Sequence, residues 1–224
     1  MSVASLDRQG FALVPHLLDG GECEAMAQRL ARAQAGRAGT RALLSQPWCR
    51  ALVDRLAGHA ALAALLPPGL VAVQCTYFEK SASRNWLVPV HQDLGIPVAE
   101  RVPHPQLRGW SEKEGVLHVQ APAELLQRLV AVRLHVDDCS AADGPLRVIP
   151  GSHLHGPLDE PAVAALRQAA GEVVCVAPRG SVLVMRPLLL HASSKASGTS
   201  LRRVLHVLFG PRDLPLGLRW PLVA

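Results

Sequence analysis

The spacing of apolar residues changes about one third of the way along the chain. In the first part, apolar residues recur at the spacing of an α-helix, and Asp19 with Glu22 three residues later forms a capping-box-like start. Prolines and glycines divide this part into three predicted helices, over residues 19–36, 47–58 and 60–66. Residues 1–69 are therefore predicted to be mostly helical.

After residue 69 the pattern becomes that of short β-strands separated by glycine and proline. The eight predicted strands are Leu70–Glu79, Trp86–Gln92, Leu129–Asp137, Leu146–Ile149, Glu172–Val176, Val182–Met185, Leu188–His191 and Leu201–Phe209. Two helices are predicted among them, at Ala123–Arg128 and Pro161–Ala169. Many short strands with frequent turn signals are typical of a jelly roll or barrel. We predict a mainly β fold with flanking helices, as a single domain of 224 residues.

Composition narrows the class of function. Hydrophobic residues make up 49% of the chain and charged residues 18%, as in a globular protein. The net charge of +5 comes from scattered arginines, and only 4% of the residues are aromatic, so the clustered basic and aromatic side chains of a nucleic-acid site are missing. We expect no nucleic-acid partner. The charge reflects an arginine-rich composition, with a mild preference for anionic ligands as the alternative.

The cysteines and the N-terminal segment indicate a cellular compartment. Five cysteines without a C-x-x-C spacing argue against a disulfide framework and a zinc ribbon, and they fit reduced thiols. The N-terminal residues lack the basic start and uninterrupted apolar stretch of a signal peptide, and no run of 18 apolar residues exists. We therefore expect a cytoplasmic protein with no membrane segment.

The most informative segment for chemistry is Trp86-Leu-Val-Pro-Val-His91-Gln92-Asp93. Residues two apart in a strand point to the same face, so His91 and Asp93 would direct an imidazole and a carboxylate to one point. Two histidines and one carboxylate on one face of an octahedral iron leave three positions for a co-substrate and O₂. This open ligand set suits oxygen activation.

Other histidines compete for the remaining roles. A second His-x-Asp, His135 and Asp137, has the same spacing, and sequence alone does not decide between the two copies. The alternative for the second copy is a buried hydrogen-bonded network lining the barrel. His191 ends an apolar run and opens into small polar residues, which suits a third ligand at a cavity. His153 and His155 follow a Pro-Gly turn and are interpreted as a loop at the cavity rim.

An arginine pair begins the last predicted strand. Arg202 lies eleven residues after His191, and a guanidinium can hold a carboxylate through two parallel hydrogen bonds. Arg202 could thus anchor the distal carboxylate of 2-oxoglutarate while the keto-acid end chelates iron. Arg203 would point the other way, and a register error of one residue would exchange the two roles. Ordinary surface positions for both arginines are the alternative.

Taken in order, the stretches WLVPVHQD, VRLHVDDC, DGPLRVIPGSH, and LLLHASS followed by LRRVLHVLF resemble the phytanoyl-CoA dioxygenase family over residues 70–210. The resemblance implies a cupin-like double-stranded β-helix that uses iron(II), 2-oxoglutarate and O₂. It also implies hydroxylation of an unactivated C–H bond of a small molecule, with release of succinate and CO₂. An intact Asp93 agrees with hydroxylation, because related halogenases replace this carboxylate by chloride.

Carried over by position, the resemblance implies that His91, Asp93 and His191 bind the iron. It also identifies Arg202 as the arginine that binds 2-oxoglutarate.

Further co-substrate contacts follow from the same resemblance. Gln92 and Ser193 match positions that commonly contact the co-substrate, and Trp110 matches a tryptophan of its pocket. No lysine in the first strand matches the lysine contact of the family, so Gln74 or Tyr77 is expected to occupy that space.

Substrate contacts are predicted from position alone. The segment 96–121 is expected to cover the site and to contribute His118, and alternation directs Arg133 and His135 into the barrel. Tyr77 is the fourth predicted substrate contact. Two alternative functions stay open: a cupin-like metal enzyme that needs no 2-oxoglutarate, and a non-catalytic metal- or ligand-binding barrel. The sequence does not give the oligomeric state.

Overall fold

A computed structural model describes residues 3–33 and 39–224 of the chain. The helices are α1 Val3–Gln9, α2 Gly20–Ala33, α3 Pro47–Gly58, α4 Ala60–Ala63, α5 Ala123–Leu126 and α6 Glu160–Ala170. The strands are β1 Phe11–Val14, β2 Gly39–Thr40, β3 Leu70–Lys80, β4 Val88–His91, β5 Gly95–Val98, β6 Arg108–Lys113, β7 Val116–Gln120, β8 Val130–His135, β9 Leu146–Val148, β10 Val173–Cys175, β11 Val182–Met185, β12 His191–Ser193 and β13 Arg202–Pro211. The protein is thus mainly β with several helices, as predicted.

The strands form three antiparallel sheets. The large sheet has the order β1-β11-β8-β13-β3-β2, and the small sheet has the order β10-β9-β12-β4. The outer sheet has the order β5-β7-β6. Side chains from all three sheets line one cavity, so the large and small sheets face each other across it and the outer sheet borders its mouth.

The N-terminal helices pack on the outside of the large sheet. Leu30 of α2 and Leu56 of α3 are fully buried in one cluster with Val132 and Leu134 of β8 and with residues of β13. Burying a leucine of this kind stabilises the fold by about 1.5–3 kcal/mol. The large sheet therefore has a helix-facing side made of apolar residues and an opposite side that is free to carry polar groups.

β13 shows how the two sides are separated. Arg202 and His206 point to the cavity, while Leu205 and Val207 point to the helices. Arg203 shares the helix-facing side. Its guanidinium donates to both carboxylate oxygens of Asp137, from Nε at 2.8 Å and from Nη2 at 2.7 Å, and its Nη1 donates to the carbonyl of Ala27 in α2.

The start of α2 confirms the predicted capping box. The backbone N–H of Glu22 donates to Oδ1 of Asp19, and the backbone N–H of Asp19 donates to Oε2 of Glu22, both at 2.8 Å. The predicted end of this helix at Gly36 lies outside the described residues. The helix predicted at 47–58 has the observed bounds, and the remaining predicted helices are present but differ in length.

Two predictions about strands were wrong. The segment Leu188–Leu190 is a turn, closed by a hydrogen bond from the backbone N–H of Leu189 to the carbonyl of Arg186, and strand β12 begins only at His191. All three leucines are buried in this turn. The sequence therefore shows the same apolar run that a buried strand would show. No strand was predicted within the segment 96–121, but residues 95–120 form the three strands of the outer sheet. The pattern is weak there because most side chains of β6 are exposed.

α1 and β1 were not predicted. β1 pairs with β11 at the edge of the large sheet, from Phe11 opposite Met185 to Val14 opposite Val182. Its four residues are too few to show the alternation of apolar and polar residues that predicts a strand.

No helix in residues 3–33 and 39–224 combines the length and the apolar character that crossing a lipid bilayer requires.

We predict that Asp137→Ala lowers the free energy of unfolding by about 2–3 kcal/mol, between the costs of breaking an exposed and a fully buried ion pair. The side chains of Arg203 and Asp137 are only 15% and 19% exposed. Glu100→Ala is the control, since its partner Arg219 is 71% exposed, and this variant should keep the stability of the wild type because solvent screens the pair. Equal midpoints for both variants in urea unfolding would contradict the structural role of Asp137.

Candidate metal centre

A cavity of about 560 Å³ lies between the large and small sheets. Its floor is the inward side of β3, β8 and β13, and its opposite wall is made by β4 and β12. Residues of the outer sheet, among them Ser111, His118 and Gln120, border the cavity. His118, a predicted substrate contact in the segment expected to cover the site, borders the cavity from strand β7.

His91, Asp93 and His191 meet on the wall of this cavity. β12 pairs with β4 so that His191 lies directly opposite His91. Asp93 follows β4 by two residues and is held by a 2.9 Å hydrogen bond from its N–H to the carbonyl of Pro187. One ligand atom from each of the three side chains lies within 4.8 Å of the other two. Within residues 3–33 and 39–224 no other group of histidine, cysteine or acidic side chains converges in this way.

The backbone sets the orientation of both imidazoles. Nδ1 of His91 lies 2.9 Å from the carbonyl of Pro89, and Nδ1 of His191 lies 2.8 Å from the carbonyl of Leu189. A carbonyl only accepts, so each Nδ1 carries the proton and each Nε2 keeps its lone pair. The two Nε2 atoms lie 3.7 Å and 3.6 Å from the oxygens of Asp93. Three electron-pair donors therefore point at one place.

The electrostatics of the three groups agree with metal binding. Burial would raise the pKa of Asp93, but its electrostatic interactions with the surrounding imidazoles of His191, His91 and His206 outweigh burial and hold that pKa well below its usual range. Asp93 is therefore a carboxylate at neutral pH. Burial lowers the pKa of His191, which favours the neutral imidazole that a metal needs. The nearby carboxylate of Asp93 raises the pKa of His91, because the negative charge favours the imidazolium.

The second His-x-Asp is not assembled into a similar site. Strand β8 ends at His135, and the chain bends so that Asp137 pairs with Arg203 on the helix-facing side. His135 is buried in the interior opposite Val204, but it does not line the cavity, and neither ring nitrogen has a partner among the described residues. His135 points inward as predicted but is not among the residues that line the cavity, so its contact with a substrate stays a prediction.

The pair His153 and His155 also lies away from the cavity. His153 sits in a 3₁₀ turn, and its Nε2 bonds the carbonyl of Asp7 at 3.0 Å. Neither histidine lines the cavity, so the predicted position at its rim was wrong.

At one end of the cavity floor a buried lysine and a buried arginine lie side by side. Arg202, 3% exposed, pairs across the sheet with Lys80, 1% exposed. Nη1 of Arg202 donates to the carbonyl of Gly144 at 2.8 Å, and its Nε has no partner among the described residues. Lys80 donates to Oγ of Ser193 at 2.9 Å and to the carbonyl of Ser194 at 2.6 Å. The described part of the chain places no carboxylate in an ion pair with either cation.

Arg133 adds a third cation to the floor. It is 7% exposed, and its Nη1 lies 3.0 Å from Nδ1 of His206 on the neighbouring strand. Burial and then the charge of Arg202 lower the pKa of Arg133 to about 10, so it stays charged at neutral pH. Burial and then the charge of Arg133 lower the pKa of His206 to about 3, so His206 is neutral and accepts this hydrogen bond.

The predicted co-substrate residues divide into two groups. Ser193 and Gln74 line the cavity as expected, and Gln74 donates to Oγ1 of Thr76 at 3.1 Å. Gln92 borders the cavity, but its amide is taken up by backbone groups: Nε2 donates to the carbonyls of Gly156 and Leu188, and Oε1 accepts from the N–H of Leu158. Gln92 thus holds the neighbouring loops together.

Two aromatic predictions were wrong. Trp110 does not line the cavity and instead stacks with Arg101, whose guanidinium carbon lies 4.9 Å from the ring centre. Tyr77 points to the helix-facing side of β3, where its hydroxyl donates to Glu79 at 2.6 Å. The register of β6 against β7 is irregular between Arg108 and Ser111, and this changes the direction in which the side chain of Trp110 points. Tyr77 lies on the face of β3 that packs against the N-terminal helices.

Among the cavity residues that sequence reasoning missed, three carry charge or an aromatic ring next to the site: Lys80, Trp86 and His206. Lys80 follows Gln74 by six residues on the same face of β3, and extending the predicted strand by one residue would have found it. Trp86 opens the segment that contains the metal ligands, and Nζ of Lys80 lies 5.6 Å from the centre of its ring. His206 lies on the same face of β13 as Arg202, so alternation alone was sufficient to find it.

Comparison with known proteins gives a family and a set of similar folds. The family model described as phytanoyl-CoA dioxygenase matches residues 6–204. The comparison with curated proteins gives no match. EctD from S. alaskensis, in its apoform, is 19% identical with a TM-score of 0.71, covering 99% of this chain and 82% of that one. HygX from Streptomyces hygroscopicus, with nickel and 2-oxoglutarate bound, is 18% identical with a TM-score of 0.64, covering 94% and 86%.

A third similar structure is the epimerase SnoN from nogalamycin biosynthesis, in complex with Fe³⁺, alpha ketoglutarate and nogalamycin RO. It is 18% identical with a TM-score of 0.68, covering 96% of this chain and 85% of that one. At these identities the likeness establishes a shared fold.

We predict that Asp93→Ala weakens binding of a divalent metal by more than about 100-fold, because loss of a direct ligand exceeds the 10–100-fold effect of losing an outer partner. Asp137→Ala, which removes the carboxylate of the second His-x-Asp, should keep the wild-type affinity. Isothermal titration with Ni²⁺ measures both. Loss of affinity in Asp137→Ala with retention in Asp93→Ala would instead place the metal at the second His-x-Asp, His135 and Asp137.

Proposed function

Because the chain belongs to the phytanoyl-CoA dioxygenase family, as its sequence predicted, we propose that it is an iron(II)- and 2-oxoglutarate-dependent dioxygenase acting on a small molecule. The observation that carries the proposal is the convergence of His91, Asp93 and His191 on a cavity that also holds Arg202. A structural metal site would be closed by four protein ligands, whereas this one offers three and opens to the cavity.

The donor set fits iron. Two neutral imidazoles and one carboxylate leave three coordination positions, which suits non-haem Fe(II) oxygenases. Similar structures contain Fe³⁺ or nickel together with 2-oxoglutarate, which supports the same pair of cofactors here. When bound, iron and 2-oxoglutarate supply the oxidising power to attack an unactivated C–H bond, with O₂ as oxidant and succinate and CO₂ as co-products.

The end of the cavity floor fits the co-substrate. Arg202 is buried, and its Nε lacks a partner among the described residues, so it can take the distal carboxylate of 2-oxoglutarate. Ser193 presents a hydroxyl beside it, and Lys80 adds a second positive charge. An arginine placed for a carboxylate favours the 2-oxoglutarate-dependent enzyme over a cupin-like enzyme that needs no co-substrate. The open metal position favours it over a non-catalytic binding barrel.

We further propose hydroxylation as the outcome of the reaction. Asp93 occupies the position at which a halogenase would leave room for halide, and its backbone N–H donates to the carbonyl of Pro187, which fixes the main chain that carries this carboxylate. Similar structures include an epimerase and a carbocyclase, so the product must be identified by mass, which a hydroxylation raises by one oxygen atom.

The proposal extends to the fold. The facing large and small sheets support a double-stranded β-helix, and we propose that residues 1–224 form one domain. One apolar cluster joins α2 and α3 to the large sheet, which supports a single unit.

We predict that wild-type protein loaded with Fe(II) and 2-oxoglutarate without oxygen shows the weak visible charge-transfer band of a chelated keto acid. Arg202→Gln should weaken 2-oxoglutarate binding by about tenfold or more, since a hydrogen bond to a charged group contributes about 1.5–3 kcal/mol. Arg203→Gln is the matched control on the other side of β13 and should keep the band. No band in folded, iron-loaded wild type would refute use of 2-oxoglutarate.

We also predict that 2-oxoglutarate binding takes up protons between pH 8 and 9.5. Burial, followed by the charges of Arg202 and Arg133, lowers the pKa of Lys80 to about 8, so the free protein is partly deprotonated in this window. A bound carboxylate favours the ammonium form and raises this pKa again, so binding draws a proton from the buffer. Titration calorimetry in buffers of different ionisation enthalpy measures the uptake.

Lys80→Met supplies the test of that assignment. The proton uptake should disappear in this variant while weaker binding of 2-oxoglutarate persists. Uptake that is unchanged in Lys80→Met would assign the proton to another group.

A further inference from the structure

The cavity holds more positive charge than the proposed cofactors use. Three buried cations, Lys80, Arg133 and Arg202, lie on its floor, and Asp93 is the one lining residue with a carboxylate among those described. Two positive charges are therefore uncompensated. Iron(II) and the 2-oxoglutarate dianion add charges of equal size and opposite sign, so binding both leaves that excess unchanged.

Arg133 is the cation that the proposed cofactors leave without a counterion. Its one hydrogen bond within the described residues goes to the neutral His206, and it forms no ion pair. The contrast is Arg203, which is partly buried on the other side of the sheet and is held by both oxygens of Asp137. A buried charge without a partner is costly, so an unpaired arginine directed into a cavity points to an anionic ligand.

The position of Arg133 separates it from the co-substrate arginine. Arg133 on β8 lies opposite His206, which is four residues beyond Arg202 along β13. At about 3.4 Å per residue, the two arginines start from backbone levels about 14 Å apart. A carboxylate held by Arg202 at one end of the floor therefore leaves the backbone level of Arg133 to another group.

The guanidinium of Arg133 is also oriented. The hydrogen bond of Nη1 to His206 and the ring of Phe78, 5.7 Å from the guanidinium carbon, restrict its rotation. The edge formed by Nε and Nη2 is left over, because Nη1 makes the one hydrogen bond of this guanidinium within the described residues and Nε is buried there without a partner. This edge offers two parallel N–H donors, the arrangement that binds a carboxylate or a phosphate through two oxygens.

We propose that Arg133 binds an oxyanion, a carboxylate or a phosphate, carried by the substrate of this cavity. The inference rests on the proposed function and specifies its substrate as an acidic small molecule. The acidic group, bound by Arg133, would hold one end of the substrate close to His91, Asp93 and His191. The carbon that is oxidised would then be set by its distance from the acidic group.

The test uses full-length protein loaded with Ni²⁺ and saturating 2-oxoglutarate, which does not turn over. Acetate and inorganic phosphate are titrated separately at constant ionic strength, and the paramagnetic relaxation of their ¹H or ³¹P nuclei reports binding near the metal. We expect saturable binding of at least one probe. Arg133→Gln should weaken it by about tenfold or more, the loss expected for charge-assisted hydrogen bonds, and Arg133→Lys should retain part of it.

Lys113→Gln is the matched control, because Lys113 is an exposed cation at the edge of the same cavity. It should keep the affinity of the wild type within about twofold, since a screened surface charge contributes little. Acetate alone, or phosphate alone, would identify the kind of oxyanion. Binding that is equal in wild type and Arg133→Gln, as for a probe on the metal itself, would overturn the inference, as would no saturable binding in wild type.

The affinity for 2-oxoglutarate distinguishes the remaining outcomes. If Arg133→Gln weakens 2-oxoglutarate binding as strongly as Arg202→Gln does, Arg133 belongs to the co-substrate site, which overturns the inference and leaves the proposed function intact. If wild type binds no 2-oxoglutarate, the proposed function itself fails. Arg133→Met provides a folded reference, because removing an unpaired buried charge should leave the melting temperature equal or higher. A lower melting temperature would indicate a structural role for Arg133.

Discussion

The register of β13 is the constraint on which both the core and the cavity depend. Because side chains alternate along a strand, one side of β13 packs Leu205 and Val207 against the helices while the other directs Arg202 and His206 to the cavity. A slip by one residue would bury arginines among leucines and close the cavity with apolar groups. The pair of Arg203 with Asp137 stabilises the observed register, since only this alignment gives the buried guanidinium its carboxylate.

The metal centre is built from short-range features that the sheet brings together. Each histidine is oriented by the carbonyl two residues before it, Pro89 for His91 and Leu189 for His191. These contacts are local and exist as soon as each segment adopts its conformation. The pairing of β12 with β4 then places the two imidazoles opposite each other. Metal binding therefore costs little conformational entropy, because the ligand side chains are already arranged by the fold.

The interior of the large sheet carries charge that a purely structural core would avoid. Burying three cations with one carboxylate opposes folding, and it lowers the pKa values of Lys80 and Arg133. The cost is offset by the apolar cluster on the other side of the same sheet. What results is a preorganised positive cavity, in which anions replace water without rearrangement of the protein. Stability on one side of the sheet thus supports ligand binding on the other.

The sequence by itself determined the family, the mainly β class, the helical first third and the segments that carry His91, Asp93 and His191, because these depend on local spacing and on ordered motifs. Only the tertiary structure decided which residues share the cavity. It separated Asp137 from the metal centre and Trp110 from the pocket, and it brought in Lys80. The physical reason is that strand ends, register shifts and cross-sheet pairing set the direction of a side chain, and none of these is encoded in the spacing of a single segment.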